Sequence, residues 1–248
     1  MAMVTPTRLV MSHFRDQGYA VLPDILSAQQ VSDWRAAVAD YVAQTPPPAG
    51  HTGPYFLWPH FDTPCHRLLE LYGNSGVGGV VQSFMHHELL LDEPEFAQLA
   101  LTIPPYPHRP SAPHIDGLTP TEDDGRPGTF TVLVGVVLTD QQQVDRGNLW
   151  VWPGTHLRTG RWLREHGADA LGSAIPYPPV ELGEPIQVTA PAGSLVLVHY
   201  LLAHNIGGHF GTATDERREA VYFRLHAAGH RLRWREVVTS PLVEFASP

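Results

Sequence analysis

Lysine is missing from this chain: all 16 basic residues are arginine. That excludes chemistry needing a lysine amine, such as Schiff bases, pyridoxal phosphate anchoring and the phosphate loop of nucleotide hydrolases. Cysteine is reduced to one, Cys65, which rules out an intrachain disulfide, a cysteine zinc finger and a cysteine-ligated iron–sulfur cluster. Cys65 reads as a small buried apolar residue. Charge is scarce at 17% of residues, with a net of −9. The first figure argues against a disordered chain and the second against a general pull toward nucleic acid or an anionic membrane. No apolar run is long enough for a membrane helix. Met1 to Phe14 lacks the charged and then apolar regions of a signal peptide. These absences lead us to expect a cytoplasmic protein with no nucleic-acid, membrane or obligate protein partner.

What is present is a chain of 248 residues, 43% hydrophobic, with 22 glycines and 24 prolines. Such a chain can bury a substantial core, and its many turn residues favour a β-rich fold. The first third reads as helical. Ser27 predicts an N-cap for a helix to about Ala43, with Val31, Trp34, Val38 and Val42 on one stripe. Further helices are expected over Arg67–Tyr72 and Gly79–Leu91. From Ala97 the texture changes. Thr129–Leu138, Asn148–Trp152, Ile186–Thr189, Ser194–His199 and Glu219–His226 read as strands, with a short connecting helix around Arg158–Glu165. We expect a single domain over residues 1–248: a helical front to about 96, a β core over about 97–226 and an extension over 227–248.

Several features carry little. The run Gly73 to Gly79 follows no strand and precedes no lysine, so it reads as a helix–helix turn rather than a phosphate loop. Arg231, Arg233 and Arg235 alternate, as on one face of a charged edge strand. His51, His60, His66, His86 and His87 have no partner at metal-binding spacing.

His114-Ile-Asp116 is different. On an extended strand, residues two apart point the same way, so an imidazole and a carboxylate can reach one metal ion. A third ligand has to come from a distant segment. Gly193 begins an apolar strand followed by three candidates: His199, His204 and His209. Arg218 lies further on, at the head of another strand. Two histidines and a carboxylate cover one face of an iron octahedron and leave three positions open. A 2-oxo acid and dioxygen can fill these, and Arg218 can pair the far carboxylate of 2-oxoglutarate through its planar fork. Strand alternation would put Ala220, Tyr222 and Arg224 on the Arg218 face, with Val221, Phe223 and Leu225 toward the helices.

With these residues in view, the sequence resembles the phytanoyl-CoA dioxygenase-like family of Fe(II)/2-oxoglutarate oxygenases. The resemblance rests on five segments in order: Phe14 to Leu26, His114-Ile-Asp116, Gly147-Asn148-Leu149 with Pro153-Gly154-Thr155-His156, Gly193 to His204, and Arg218-Glu-Ala220-Val221. It implies a mainly β fold with N-terminal helices, in which the core is a double-stranded β-helix, a cupin-like jelly-roll barrel. It implies Fe(II) held by His114, Asp116 and His204, with Arg218 for 2-oxoglutarate and dioxygen as the oxidant. The family register selects His204 over His199 and His209, and leaves His156 a hydrogen-bonding role. Two positions depart from the family pattern: Ser194 stands where Asp is common, and Ile206 where a polar residue often follows the distal histidine.

The reaction expected is hydroxylation of a small molecule's C–H bond, with decarboxylation of 2-oxoglutarate to succinate. A zinc hydrolase on the same ligands is the alternative, but it leaves Arg218 unexplained; a non-catalytic jelly-roll binding or sensor protein is another. No basic cluster precedes the barrel, which argues against a CoA thioester as substrate. Tyr106, His108 and Arg109 before the metal strand, with Tyr222 and Arg224 from inside the barrel, are the candidate substrate contacts. Gly117–Gly128 reads as a mobile polar lid.

Overall fold

A computed structural model describes residues 6–59, 67–117 and 122–247. Cys65, His60 and His66 lie outside these, as do residues 118–121 of the expected lid. The chain opens with α1 (Arg8–Gln17), capped at its start by the Thr7 hydroxyl and ended by Gly18 in the left-handed region, φ 84°. That conformation suits glycine, and a Cβ there would also collide with the His156 ring at 2.6 Å. The chain then turns into strand β1 (Tyr19–Leu22). Helix α2 (Ala28–Gln44) begins with a reciprocal box: Ser27 Oγ accepts from the Gln30 amide, and Gln30 Oε1 accepts from the Ser27 amide. Its Trp34, Val38 and Val42 are buried as the stripe predicts.

Strand β2 (Gly53–Leu57) comes next, where the sequence reads as part of the helical front. It is an edge strand, so one neighbour, β3 (Gln98–Ile103), is enough to specify it. Helices α3 (Arg67–Ser75) and α4 (Val77–Gln82) follow, hinged at Gly76. The glycine run is thus a helix junction, although Gly73, Gly78 and Gly79 lie within the helices. The helix expected over Gly79–Leu91 stops at Gln82. Beyond it the Gln82 side chain donates to Leu89 O and accepts from Leu91 N, holding a non-helical turn.

The β core contains β4 (Val132–Val137), β5 (Leu149–Val151), β6 (Ile186–Gln187), β7 (Leu195–His199), β8 (His204–Ile206) and β9 (Arg218–Leu225). Helix α5 (Thr155–His166) connects β5 toward β6. The large sheet has the order β1-β7-β4-β9-β3-β2, with every neighbour antiparallel, and the small sheet has the order β6-β5-β8. The large sheet is covered on both sides. Val132, Val134, Leu197, Val221 and Phe223 face the helices carrying Phe14, Trp34 and Tyr72. Leu133, Val137, Val196, Ala220 and Tyr222 share the other core with Leu149 and Val151 of the small sheet. Two packed sheets of this kind form the jelly roll. The split of β9 between faces is the one its alternation predicts.

The arginines at 231, 233 and 235 are not on a strand. They lie on helix α6 (His230–Thr239), because His230, Trp234, Val237 and Val238 recur at helical spacing and are its buried residues. Their charges splay to separate partners: Glu95, Glu244 and Asp169. Below the helix, buried Glu244 accepts from Thr131 Oγ1 at 2.7 Å and from His230 Nδ1 at 2.9 Å. This ties the C-terminal segment to the start of β4. Among the described residues, no helix is long and apolar enough to cross a membrane.

Two buried histidines join α1, α5 and β7. His156 Nε2 lies 2.9 Å from Arg15 O, and burial pulls its pKa down to about 4. His199 donates from Nε2 to Pro241 O at 2.6 Å and accepts at Nδ1 from Leu201 N at 3.0 Å, so its neutral form is fully paired. Burial, aided by His156, holds His199 well below the ordinary value. Unfolded, both would titrate near 6.5. The unfolded chain therefore takes up protons first as pH falls, and stability is lost from about pH 6.5 downward toward 4. We expect a lower melting temperature for the metal-free protein at about pH 5 than at about pH 7.5, with His156 alone contributing roughly 2 kcal/mol. A melting temperature unchanged across that window would contradict this account.

Candidate metal centre and its cavity

The two sheets enclose a cavity of about 400 Å³ lined by residues of β2, β3, β4, β5, β8 and β9. His114 enters it from the segment before β4. The His114 amide donates to His204 O at 2.9 Å, and the His204 amide donates to His114 O at 3.3 Å. This antiparallel bridge extends the small sheet beyond β8 and sets the two imidazoles side by side, with ring centres 4.5 Å apart. Asp116 sits two residues on. Its Oδ1 lies 3.4 Å from His114 Nε2 and 3.7 Å from His204 Nε2. Ligand atoms of all three residues fall within 4.8 Å of one another, and they are the one such group among the described residues.

The hydrogen bonds discriminate among the three histidines after β7. His199 uses both ring nitrogens within the core, as described above. His209 also uses both: Nε2 donates to Glu216 O at 3.0 Å, and Nδ1 accepts from Gly211 N at 3.2 Å. His204 donates from Nδ1 to Leu202 O at 2.9 Å. That bond turns Nε2 to Asp116, 3.7 Å from Oδ1, as the nitrogen a metal would take once its proton is displaced. His156 lies against α1, outside the cluster.

The electrostatics suit a cation. Burial favours a neutral Asp116, but hydrogen bonds from His114 and His204 and the charges of His204 and Arg224 outweigh it and hold the carboxyl well below its usual range. Burial, followed by the charge of His204, lowers His114. For His204 burial also disfavours the charged form, yet the bond and charge of Asp116 prevail and raise it. Two imidazoles crowded onto one ionised carboxylate are a donor set that a divalent first-row metal satisfies in place of a proton.

Arg218 opens β9 and is 3% exposed. No carboxylate of the described residues pairs with it. Its contacts are neutral: Gln141 Oε1 and Ala100 O, both at 3.4 Å, and the Tyr222 hydroxyl. Tyr222 fits there because Gly135, its partner across β4 and β9, has no side chain; a Cβ would meet the Tyr222 ring at 2.6 Å. Gln141 Nε2 and Thr102 Oγ1 are buried without a partner; Gln141 Oε1 accepts from Arg218, and Thr102 is the cross-strand neighbour of Arg218 on β3. A buried cation and two idle polar groups are costly unless an anion completes them. The site therefore fits the far carboxylate of 2-oxoglutarate.

The other candidate residues divide. Tyr222 and Arg224 line the cavity, whereas Tyr106, His108 and Arg109 do not. Tyr106 is bridged to His209, and the His108 backbone bonds to Gly208. Arg109 pairs with Asp145 at 3.0 Å and lies over Phe210. The proline-rich segment before His114 is irregular, as expected, but its backbone bonds carry it along the 208–209 strand end rather than over the cavity. Of the expected lid, Gly117 O accepts from the Gly128 amide at 2.8 Å, while residues 118–121 lie outside the described ones. The sequence reading missed Phe56, Trp58, Gln98 and Asn205, which also line the cavity. The aromatic alternation of Tyr55-Phe56-Leu57-Trp58 was the available signal for β2. Ile206 and Leu149 add an apolar wall.

A family model described as phytanoyl-CoA dioxygenase (PhyH) matches residues 14–218. No curated protein sequence matches significantly. Solved structures do. The non-heme alpha ketoglutarate dependent carbocyclase SnoK from nogalamycin biosynthesis aligns at 22% identity over 89% of this chain and 83% of its own, with a TM-score of 0.58. The epimerase SnoN of the same biosynthesis aligns at 18% over 88% and 81%, also at 0.58. HygX from Streptomyces hygroscopicus, with nickel and 2-oxoglutarate bound, aligns at 18% over 90% and 88%, at 0.57. At these identities the likeness establishes the fold.

The geometry predicts that Asp116→Ala and His204→Ala lose divalent metal binding, measured by Co(II) titration, whereas His209→Ala keeps it. Loss in His209→Ala with retention in His204→Ala would reassign the distal ligand.

Proposed function

The chain belongs to the phytanoyl-CoA dioxygenase family and is an iron- and 2-oxoglutarate-dependent oxygenase; on that premise we propose that it hydroxylates a C–H bond of a small molecule through a centre made of His114, Asp116, His204 and Arg218. The observation that carries this reading is the placement of the three potential ligands and the carboxylate-free Arg218 in the wall of one cavity. His114, Asp116 and His204 would hold Fe(II). Bound there, Fe(II) would supply the dioxygen chemistry that couples C–H oxidation to decarboxylation of 2-oxoglutarate to succinate. The chain's own groups position and enclose. Arg218 pairs the far carboxylate, with Thr102 and Gln141 offering further hydrogen bonds. The Leu202 carbonyl keeps His204 in its ligating tautomer. Leu133, Leu149 and Ile206 keep water from that part of the wall. We read residues 1–248 as one catalytic unit, since metal, cosubstrate and substrate positions all lie between the same two sheets.

Charge accounting points to the substrate class. The cations lining this cavity are Arg218 and Arg224, and Arg224 already faces Asp116 at 3.3 Å. The chain has no lysine, and residues 60–66 and 118–121, which follow the lining residues Trp58 and Asp116 in sequence, contain no arginine. The phosphates of a CoA thioester therefore find no basic cluster. A small, weakly charged molecule seated against Phe56, Trp58, Gln98 and Asn205 fits better. SnoN and HygX have been crystallised with nogalamycin RO and hygromycin B, respectively, so folds of this kind accommodate such small molecules. SnoN is an epimerase and SnoK a carbocyclase, so the oxidative outcome requires its own test: a product gaining one oxygen atom, formed together with succinate.

A zinc hydrolase would use the same three ligands but would leave Arg218 buried without an anion. Succinate release on addition of Fe(II) and 2-oxoglutarate separates the two readings, and also separates an enzyme from a passive binding protein. Arg218→Lys should weaken 2-oxoglutarate binding roughly 10–100-fold, because the charge stays but the fork is lost. Arg217→Ala, whose side chain pairs with Glu219 away from the cavity, should bind normally. Equal damage in both variants, measured by calorimetric titration, would refute the assignment.

A further inference from the structure

We infer that Arg224 is a positioning residue for the metal centre: its guanidinium holds Oδ2 of Asp116 so that the carboxylate presents a single oxygen, Oδ1, to the metal. This inference rests on the metal reading above and extends it to a residue outside the ligand set. The two carboxylate oxygens face different ways. Oδ1 faces His114 Nε2 and His204 Nε2 at 3.4 and 3.7 Å, and Oδ2 faces Arg224 Nη2 at 3.3 Å. Arg224 is itself held. It stands on β9 opposite Leu133, and its guanidinium carbon lies 5.7 Å from the Phe96 ring centre and 5.5 Å from that of Phe130. Aromatic rings at this distance attract and orient a guanidinium. Its Nε has no acceptor among the described residues, so the Nη2 contact with Asp116 is the polar contact that aims the group.

The consequence is a matter of coordination number. Three protein ligands leave three positions on an octahedral metal, and the reaction needs two for the oxo acid and one for dioxygen. A carboxylate chelating through both oxygens would take one of those. A cation fixed on Oδ2 makes chelation unfavourable and pre-orients Oδ1. Two effects of Arg224 then oppose each other. Its charge repels a divalent ion, so removing it by charge alone would tighten metal binding. Its hold on Asp116 pre-organises the ligand, so removing it by geometry would loosen binding. Losing such outer contacts typically costs 10–100-fold in metal affinity. The proposal requires the second effect to win.

The test uses the full chain with Co(II) as probe, without cosubstrate or substrate. Arg224→Met should bind Co(II) about 10-fold or more weakly than the wild type and show an altered visible ligand-field spectrum. Arg224→Lys keeps the charge and one donor and should recover at least part of both. Melting temperature of the metal-free proteins checks that the variants fold. If Arg224→Met unfolds, Arg224→Lys and Arg224→Gln carry the comparison, each expected between the wild type and loss. Wild-type affinity and spectrum in the folded variants would overturn the proposal and leave Arg224 as a contact for substrate or cosubstrate. Tighter Co(II) binding would overturn it as well, since charge repulsion would then be the only effect. Asp116→Ala is the separate control: if it still binds Co(II) normally, the metal reading fails, whatever Arg224 does.

Discussion

The structure depends on the large sheet being buried on both faces. An antiparallel sheet with one wet face needs one apolar layer; this one needs two. Helices α1 to α4 supply the first, and the small sheet, together with α5 and α6, supplies the second. Val132–Val137 is accordingly buried throughout rather than alternating. The second requirement creates the cavity. The small sheet has only three short strands, too few to cover a six-stranded neighbour completely, and the space left between them receives the polar side chains of His114, Asp116, His204 and Arg218.

Polar groups placed in such a space must find partners, and the pattern of pairing separates structure from function. His199, His209, Glu244 and His230 are satisfied within the chain, so they act as ties between elements. Arg218, Thr102 and Gln141 are incompletely satisfied and stand together. His204 turns its second nitrogen to the Asp116 carboxylate rather than to a backbone carbonyl. Buried polar groups that lack partners in clusters mark where a ligand is expected, because random burial of this kind is selected against on stability grounds.

Small residues matter to this architecture as much as the metal-site side chains. Gly135 makes room for Tyr222, and Tyr222 in turn meets Arg218. Gly18 lets α1 turn into β1 against His156. The guanidiniums of Arg218 and Arg224 lie on the same face of one strand, six residues apart in number, yet meet different chemistry: neutral acceptors at one and an ionised carboxylate at the other. One strand thereby reaches both the cosubstrate end and the metal end of the cavity.

The linear sequence was sufficient for the elements whose signal is local. The Ser27 cap, the stripe through Trp34, the β runs, the split faces of β9 and the His114-x-Asp116 spacing all follow from nearest-neighbour geometry. Family resemblance added the choice of His204. Elsewhere local patterns misled. The alternating arginines 231, 233 and 235 suggested a strand, but the buried trio Trp234, Val237 and Val238 made a helix, because core contacts outweigh surface charge spacing. β2 was taken for part of a helical front, since an edge strand depends on a partner far along the chain. Arg109 looked well placed by its number alone, and Asp145 drew it to the surface. Which of three histidines turns a nitrogen to Asp116, and which arginine meets that carboxylate, are decided by carbonyls and carboxylates brought from other segments. No spacing along the chain encodes those contacts; only the closed sheets produce them.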